Sequence, residues 1–258
     1  MYVDTHTHLF TDAFDEDREI VVQRALDAGV ELLLLPNIDA GTINAMHELE
    51  AKFPNNCFSM MGLHPGSVNE TWEAELAKVK ENLFSRKYVA VGEIGMDLYW
   101  DKTFIEEQRH AFRQQVEWAK ELELPIAIHA REAFDEIFQI LDEINDERLT
   151  GVFHCFTGNV EQARHIESYG GFKMGIGGVV TYKKAAMDQV LQHVDLKHLI
   201  LETDSPYLSP VPFRGKRNES SYILHIAEKL SDIYGVPLQE IEEVTTQSAM
   251  ELFNLTAK

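Results

Sequence analysis

Tyr2-Val3-Asp4-Thr5-His6-Thr7-His8 is a short β-like run that starts near the first residue and ends in two histidines. Strand side chains alternate in direction, so His6 and His8 point to the same side. Their imidazoles can converge on one metal ion, which a helix does not arrange at this spacing. A histidine on the inner face of a strand also needs compensation for its lost hydration. Alone, the pair fits hydrogen-bonded side chains equally well. Its weight comes from ligand-type residues at the ends of later strands.

Outward from this run, short apolar segments alternate with amphipathic ones. The strand candidates are Tyr2–Thr5, Glu31–Leu35, Cys57–Leu63, Tyr88–Glu93, Ile126–His129, Val152–Cys155, Phe172–Ile176 and Leu199–Asp204. Leu32–Leu35 and Ile126–Ile128 are unbroken apolar stretches, the pattern of parallel strands buried on both faces. Phe104–Leu122 reads as a helix, with Phe112, Val116 and Ala119 at helical spacing. Strand–helix units repeated over roughly 200 residues predict an α/β chain folded as a TIM (β/α)8 barrel. Beyond the last strand, Ser220 to Leu255 reads as two additional C-terminal helices broken at Gly235-Val236-Pro237. With no linker, repeat or low-complexity segment, residues 1–258 are expected to form a single domain. A doubly wound open sheet is the structural alternative.

At 258 residues the chain can bury a large core, and 45% hydrophobic with 26% charged residues suits a soluble enzyme. No apolar run approaches the roughly 20 residues needed to span a bilayer. Asp4 and His6 arrive too early for a signal peptide. Cys57 and Cys155 form neither a Cys-x-x-Cys metal motif nor a disulfide framework. The expectation is a cytoplasmic protein with reduced thiols, no membrane association and no obligate protein partner. The net charge of −20, from 23 Lys+Arg against 43 Asp+Glu, argues against a broad electrostatic footprint on nucleic acid. It leaves room for an enzyme that engages a few phosphates at a metal centre.

The polar residues that interrupt the apolar strands share one location. His6 and His8 close the first strand, and His64 follows the third in Gly62-Leu63-His64-Pro65. Glu93 ends the fourth, His129 the fifth and Asp204 the eighth, while His154 lies near the end of the sixth. Barrel active sites form at the carboxyl ends of the strands, so all these side chains can reach one pocket. Each has an ordinary reading: a hydrogen-bonded rim histidine, a turn glutamate, an aspartate capping a turn. Those accidents would have to coincide at the same end of the barrel, whereas a metal centre compensates the whole set. His64 is the least secure, because Leu-His-Pro is also turn chemistry. Cys155, next to His154, is sent by alternation to the opposite side and reads as core.

Nitrogen and oxygen ligands without thiolate suit zinc, manganese, iron, nickel or magnesium and do not choose among them. Six ligands exceed what one catalytic zinc needs with an open position. Two divalent metal ions sharing Glu93 account for the number better. His6, His8, Glu93 and Asp204 are assigned to one ion, and Glu93, His129 and His154 to the other.

The segments DTHTH (4–8), GLHP (62–65), VGEIGMD (91–97), IHAR (128–131), FHCF (153–156), LILETDSPYL (199–208) and RGKRN (214–218) together resemble the TatD family of metal-dependent hydrolases, in the amidohydrolase superfamily. The resemblance implies a TIM barrel, a mono- or binuclear metal centre, and deoxyribonuclease or phosphodiesterase activity. The family's ligands map onto His6, His8, Glu93, His129, His154 and Asp204, the set reached from strand placement. Phe10 stands where the family commonly has an acidic residue, and Ser220 where it commonly has proline.

The expected mechanism is hydrolysis by a metal-activated water, with Asp204 accepting the water proton and Glu93 bridging the ions. His64, Arg131, Arg214, Lys216 and Arg217 are candidate phosphate contacts, because guanidinium matches phosphate bidentately. Arg131 follows His129 by two positions and is aimed by alternation at the same pocket. The substrate would be DNA or a small phosphodiester. One rival is a barrel of the same kind acting on a small phosphoester, ester or amide. The other is a catalytically weak metal-binding scaffold.

Overall fold

The described residues, 1–255 of this computed structural model, alternate strand and helix along the chain. The strands are β1 (Tyr2–Asp4), β2 (Val30–Pro36), β3 (Cys57–Met60), β4 (Val91–Asp97), β5 (Ile126–Arg131), β6 (Gly151–Phe153), β7 (Phe172–Ile176) and β8 (Leu199–Leu201). The helices are α1 (Arg18–Asp27), α2 (Ile43–Lys52), α3 (Trp72–Ser85), α4 (Ile105–Leu122), α5 (Phe134–Ile144), α6 (Val160–Ser168), α7 (Met187–Leu191), α8 (Ile223–Tyr234) and α9 (Leu238–Leu252).

All the strand pairs are parallel, running β1-β2-β3 and β4-β5-β6-β7-β8. Backbone hydrogen bonds beyond the regular ladders close both seams. Thr5 N donates to Leu201 O at 3.1 Å, Asp204 N to His6 O at 2.8 Å and His8 N to Ser205 O at 2.7 Å, joining β8 to β1. Val89 N donates to Ser59 O at 3.2 Å and Gly92 N to Met61 O at 3.1 Å, joining β3 to β4. The result is a TIM (β/α)8 barrel rather than an open sheet.

Alternation along the strands sorts the core into two sides. Val3, Leu32, Leu34, Met60, Ala127, Val152 and Ile200 form one buried cluster with Ala249 and Phe253 at the carboxyl end of the chain. Leu33, Leu35, Ile126, Ile128, Phe153 and Leu201 face the other way, into the larger cluster shared with the helices. The predicted apolar face of α4 is there, with Phe112, Val116 and Ala119 buried. The expected break at 235–237 is also present: Gly235, at φ +66°, caps α8. Of the two expected C-terminal helices, α8 packs against β8 as the eighth helix of the ring. The other, α9, lies against the start of the chain, with Thr246 Oγ1 donating to Met1 O at 2.8 Å.

Several strands end earlier than their apolar runs suggest. β3 stops at Met60, β6 at Phe153 and β8 at Leu201, and Cys155 and Asp204 take positive φ values of 47° and 57°. The chain leaves the ladder where its polar residues turn into the barrel mouth. β4 departs in the opposite sense, pairing with β5 as far as Asp97 opposite Arg131. No helix among the described residues is long and apolar enough to cross a membrane.

Candidate metal centre

At the mouth, the ligand candidates gather around one carboxylate. Glu93, within β4, is 2% exposed. Its Oε2 lies 3.1 Å from His6 Nε2 and 3.5 Å from His8 Nε2. Its Oε1 lies 2.9 Å from His129 Nδ1 and 3.4 Å from both His154 Nε2 and His64 Nε2. Asp204 Oδ1 stands 3.5 Å from His8 Nε2 and 3.9 Å from His6 Nε2. The two oxygens of Glu93 thus divide the imidazoles into two groups, and Asp204 joins the first.

Local structure explains the convergence. Between His6 and His8, Thr7 turns the other way and its Oγ1 accepts from Ser220 Oγ at 3.3 Å, as strand alternation requires. Ser220 therefore serves as a hydrogen-bond partner where the family often has proline. Phe10 is buried, its ring edge-on to His8 at 5.8 Å. Gly95 has φ +141°, and a Cβ there would fall 2.0 Å from His129 O. Only glycine lets β4 pass β5 this closely at the level of a candidate ligand.

Three acidic residues that sequence reasoning left aside hold the cluster from behind. Asp97 Oδ2 is 2.9 Å from His129 Nε2. Glu202 Oε1 is 3.1 Å from His154 Nδ1 and accepts from Cys155 N at 2.5 Å. Asp4, fully buried, accepts from Thr203 N at 2.9 Å and from Thr203 Oγ1 at 2.6 Å. Their signal was present in the sequence. Each sits two or four positions from a candidate ligand, where alternation aims both to one side. Asp97 and Glu202, bonded to ring nitrogens, are placed to fix the orientation and tautomer of His129 and His154, whereas Asp4 ties the first strand to Thr203.

The charges are strongly coupled. Burial opposes ionisation of Glu93, yet the imidazoles of His64, His6 and His154 hold its carboxyl well below the usual range. Burial likewise opposes charge on Asp204, and His8, His154 and His6 outweigh it. Burial also disfavours charge on His154, but Glu202 and Glu93 lift it to about 10. Burial holds His6 and His64 below the usual imidazole range, which favours the neutral rings that can bind a cation. Buried His6 Nδ1, His8 Nδ1 and Glu202 Oε2 find no hydrogen-bond partner among the described residues. Ligand atoms of His6, His8 and Glu93, and those of His64, Glu93 and His129, lie within 4.8 Å of one another. On chemistry and spacing, this donor set fits divalent metal.

Comparison with known proteins agrees. Residues 3–254 match the family described as TatD related DNase. The chain belongs to the TatD family of metal-dependent hydrolases. It is 38% identical over 256 residues to the uncharacterized metal-dependent hydrolase YabD of Bacillus subtilis, covering 99% of this chain and 100% of that one. It is 30% identical over 259 residues to the 3'-5' ssDNA/RNA exonuclease TatD of Pectobacterium parmentieri, covering 98% and 99% of the two chains. The crystal structure of the TatD homologue YjjV from Escherichia coli K12 superposes with a TM-score of 0.92 at 31% identity, covering 99% and 98%.

In this TatD-family chain the cluster of imidazoles and carboxylates around Glu93 forms the floor of a cavity of about 620 Å³, walled by Trp100, Arg131, Cys155, Tyr207 and Leu208 among others. Cys155 therefore lines the cavity instead of joining the core. β6 ends before it, so strand alternation no longer governs its side chain. His64 Nε2, 3.4 Å from Glu93 Oε1, sits closer to the candidate ligands than a peripheral phosphate contact would, and its Nδ1 accepts from Gly66 N at 2.9 Å. Arg131 lies on the wall, its guanidinium 4.0 Å from the Tyr99 ring centre. The basic run 214–217 does not line this cavity. Arg214 stacks 4.5 Å over Tyr182, and Lys216 lies 5.9 Å from the Phe213 ring. Arg217 donates to Asp17 at 2.6 and 2.8 Å and to Ala13 O at 2.8 Å, so its guanidinium is committed within the fold.

Proposed function

We propose that this metal-dependent hydrolase cleaves phosphodiester bonds of DNA at a binuclear centre. The observation that carries the reading is the division of Glu93, with Oε2 toward His6 and His8 and Oε1 toward His129 and His154. His6, His8, Glu93 and Asp204 would hold one divalent ion, and Glu93, His129 and His154 the other. Divalent ions at such a site make water acidic enough to attack near neutral pH and offset charge on phosphoryl oxygens.

The chain's own residues supply the rest. Asp204, 13% exposed at the cavity floor and held ionised by its imidazole neighbours, accepts the proton of the attacking water. Asp97 and Glu202 orient His129 and His154 through the ring nitrogens they bond. Arg131 is the best-placed cation for a phosphate oxygen, with His64 beside the same floor. Arg214 and Lys216 are left for more distant phosphates.

The charge of −20 favours a substrate engaged at its end, over few phosphates, above a duplex followed along its length. A small phosphoester is the second reading, supported by the same charge. After chelation, turnover of single-stranded DNA is expected to vanish and to return on adding zinc, manganese or magnesium. Bound metal measured beside it should approach two ions per chain. An acyl compound turned over faster than any phosphodiester would overturn the reading.

A further inference from the structure

The cavity wall carries aromatic surface that the hydrolytic centre does not use. Trp100 is 75% exposed and Tyr99 48% exposed, both immediately beyond β4, and their rings meet edge to face at 4.8 Å. Exposing this much of an indole forgoes the burial that ordinarily places tryptophan inside. Arg131 lies against both rings, 4.0 Å from Tyr99 and 5.2 Å from Trp100, and these contacts are aromatic rather than ionic. In a chain this acidic, a cation beside the cavity with no carboxylate partner among the described residues is set apart from Arg217, which Asp17 neutralises. Tyr207 and Leu208, 53% and 40% exposed, line the same cavity, with the Tyr207 ring 6.1 Å from that of His8.

Resting on the phosphodiester reading above, we propose that Tyr99 and Trp100 form a stacking platform for an unpaired nucleobase at the end of a single strand. Arg131 would hold the adjoining phosphate. Both faces of a base within a duplex are covered by its neighbours, so only a splayed or single-stranded base can lie on such a surface. Stacking on an aromatic ring tolerates any base, because every base has a π face. The platform would select strand ends by their freedom from pairing, not by sequence.

Among the three tryptophans, Trp118 is buried and Trp72 partly so, which leaves Trp100 as a fluorescent reporter at the cavity. Titrating metal-free protein with a short oligothymidylate is expected to quench its emission, and the quench should disappear in Trp100→Phe. In metal-loaded protein, kcat/KM for a single strand ending in a normal nucleotide should exceed that for one ending in an abasic site about tenfold, or about 1.4 kcal/mol. Trp100→Ala should collapse this preference and Trp100→Phe should largely keep it. An unquenched titration, or an equal preference in wild type and Trp100→Ala, overturns the platform. If wild type cleaves no oligonucleotide, the phosphodiester reading fails separately. Quenching by thymidine monophosphate but not by ribose 5-phosphate would then still support the platform, and quenching by neither would reject it.

Discussion

The two oxygens of Glu93 face separate sets of imidazoles, and in the proposed binuclear centre its charge would offset the repulsion between the two cations. Glu93→Gln keeps the shape and removes the charge. At least one ion per chain is expected to be lost, with turnover falling by a hundredfold or more; two retained ions by elemental analysis, with full activity, would refute the bridge. Gly175 offers a gentler test of the outer partners. A methyl group there would lie 2.1 Å from Glu202 Oε2, forcing that carboxylate away from His154. Gly175→Ala should weaken metal affinity about 10- to 100-fold, the usual cost of disturbing such partners. Competition with a metal-sensing dye would measure it, and unchanged affinity would mean that Glu202 does not tune the site.

At the scale of elements, the helix after the ring, α9, packs against β8 and β1. α9 brings Ala249, followed by Phe253 just past its end, into the cluster formed by inward residues of the strands. The candidate metal ligands occupy the other end of the barrel, so support and proposed chemistry are separated along its axis. Phe253→Ala should cost about 3–5 kcal/mol in denaturant unfolding, as a buried aromatic lost from a packed core. Metal content should be unaffected at temperatures where the variant stays folded. Loss of metal at full stability would show that the two ends are coupled.

For the molecule as a whole, charge sets how it meets a substrate. Only Arg131 among the candidate cations lines the cavity, and the chain carries −20 overall. Binding of single-stranded DNA should therefore depend weakly on salt, with a slope of log K against log salt near −1, since each neutralised phosphate contributes about −0.7. A slope near −2 would reveal a basic track in which Arg214 and Lys216 each add a phosphate contact to that of Arg131. The repeating strand–helix pattern and the ligand-type residues at strand ends are legible in the sequence, because hydrophobic periodicity and strand alternation are local properties of a chain. His6, His8, Glu93, His129, His154 and Asp204 could be grouped from that alone. Asp97 and Glu202 were visible as letters but not as partners, since pairing across strands depends on register. Arg217 and Cys155 show the same limit: one reaches a carboxylate 200 positions away, and the other faces the cavity because its strand ends two residues early. Sequence alone determined the kinds of element, their order and the chemistry of the mouth. Only the tertiary structure decided which oxygen of Glu93 faces which imidazole, which arginine is left for a phosphate and which aromatic rings stand open, because those depend on distances between residues far apart along the chain.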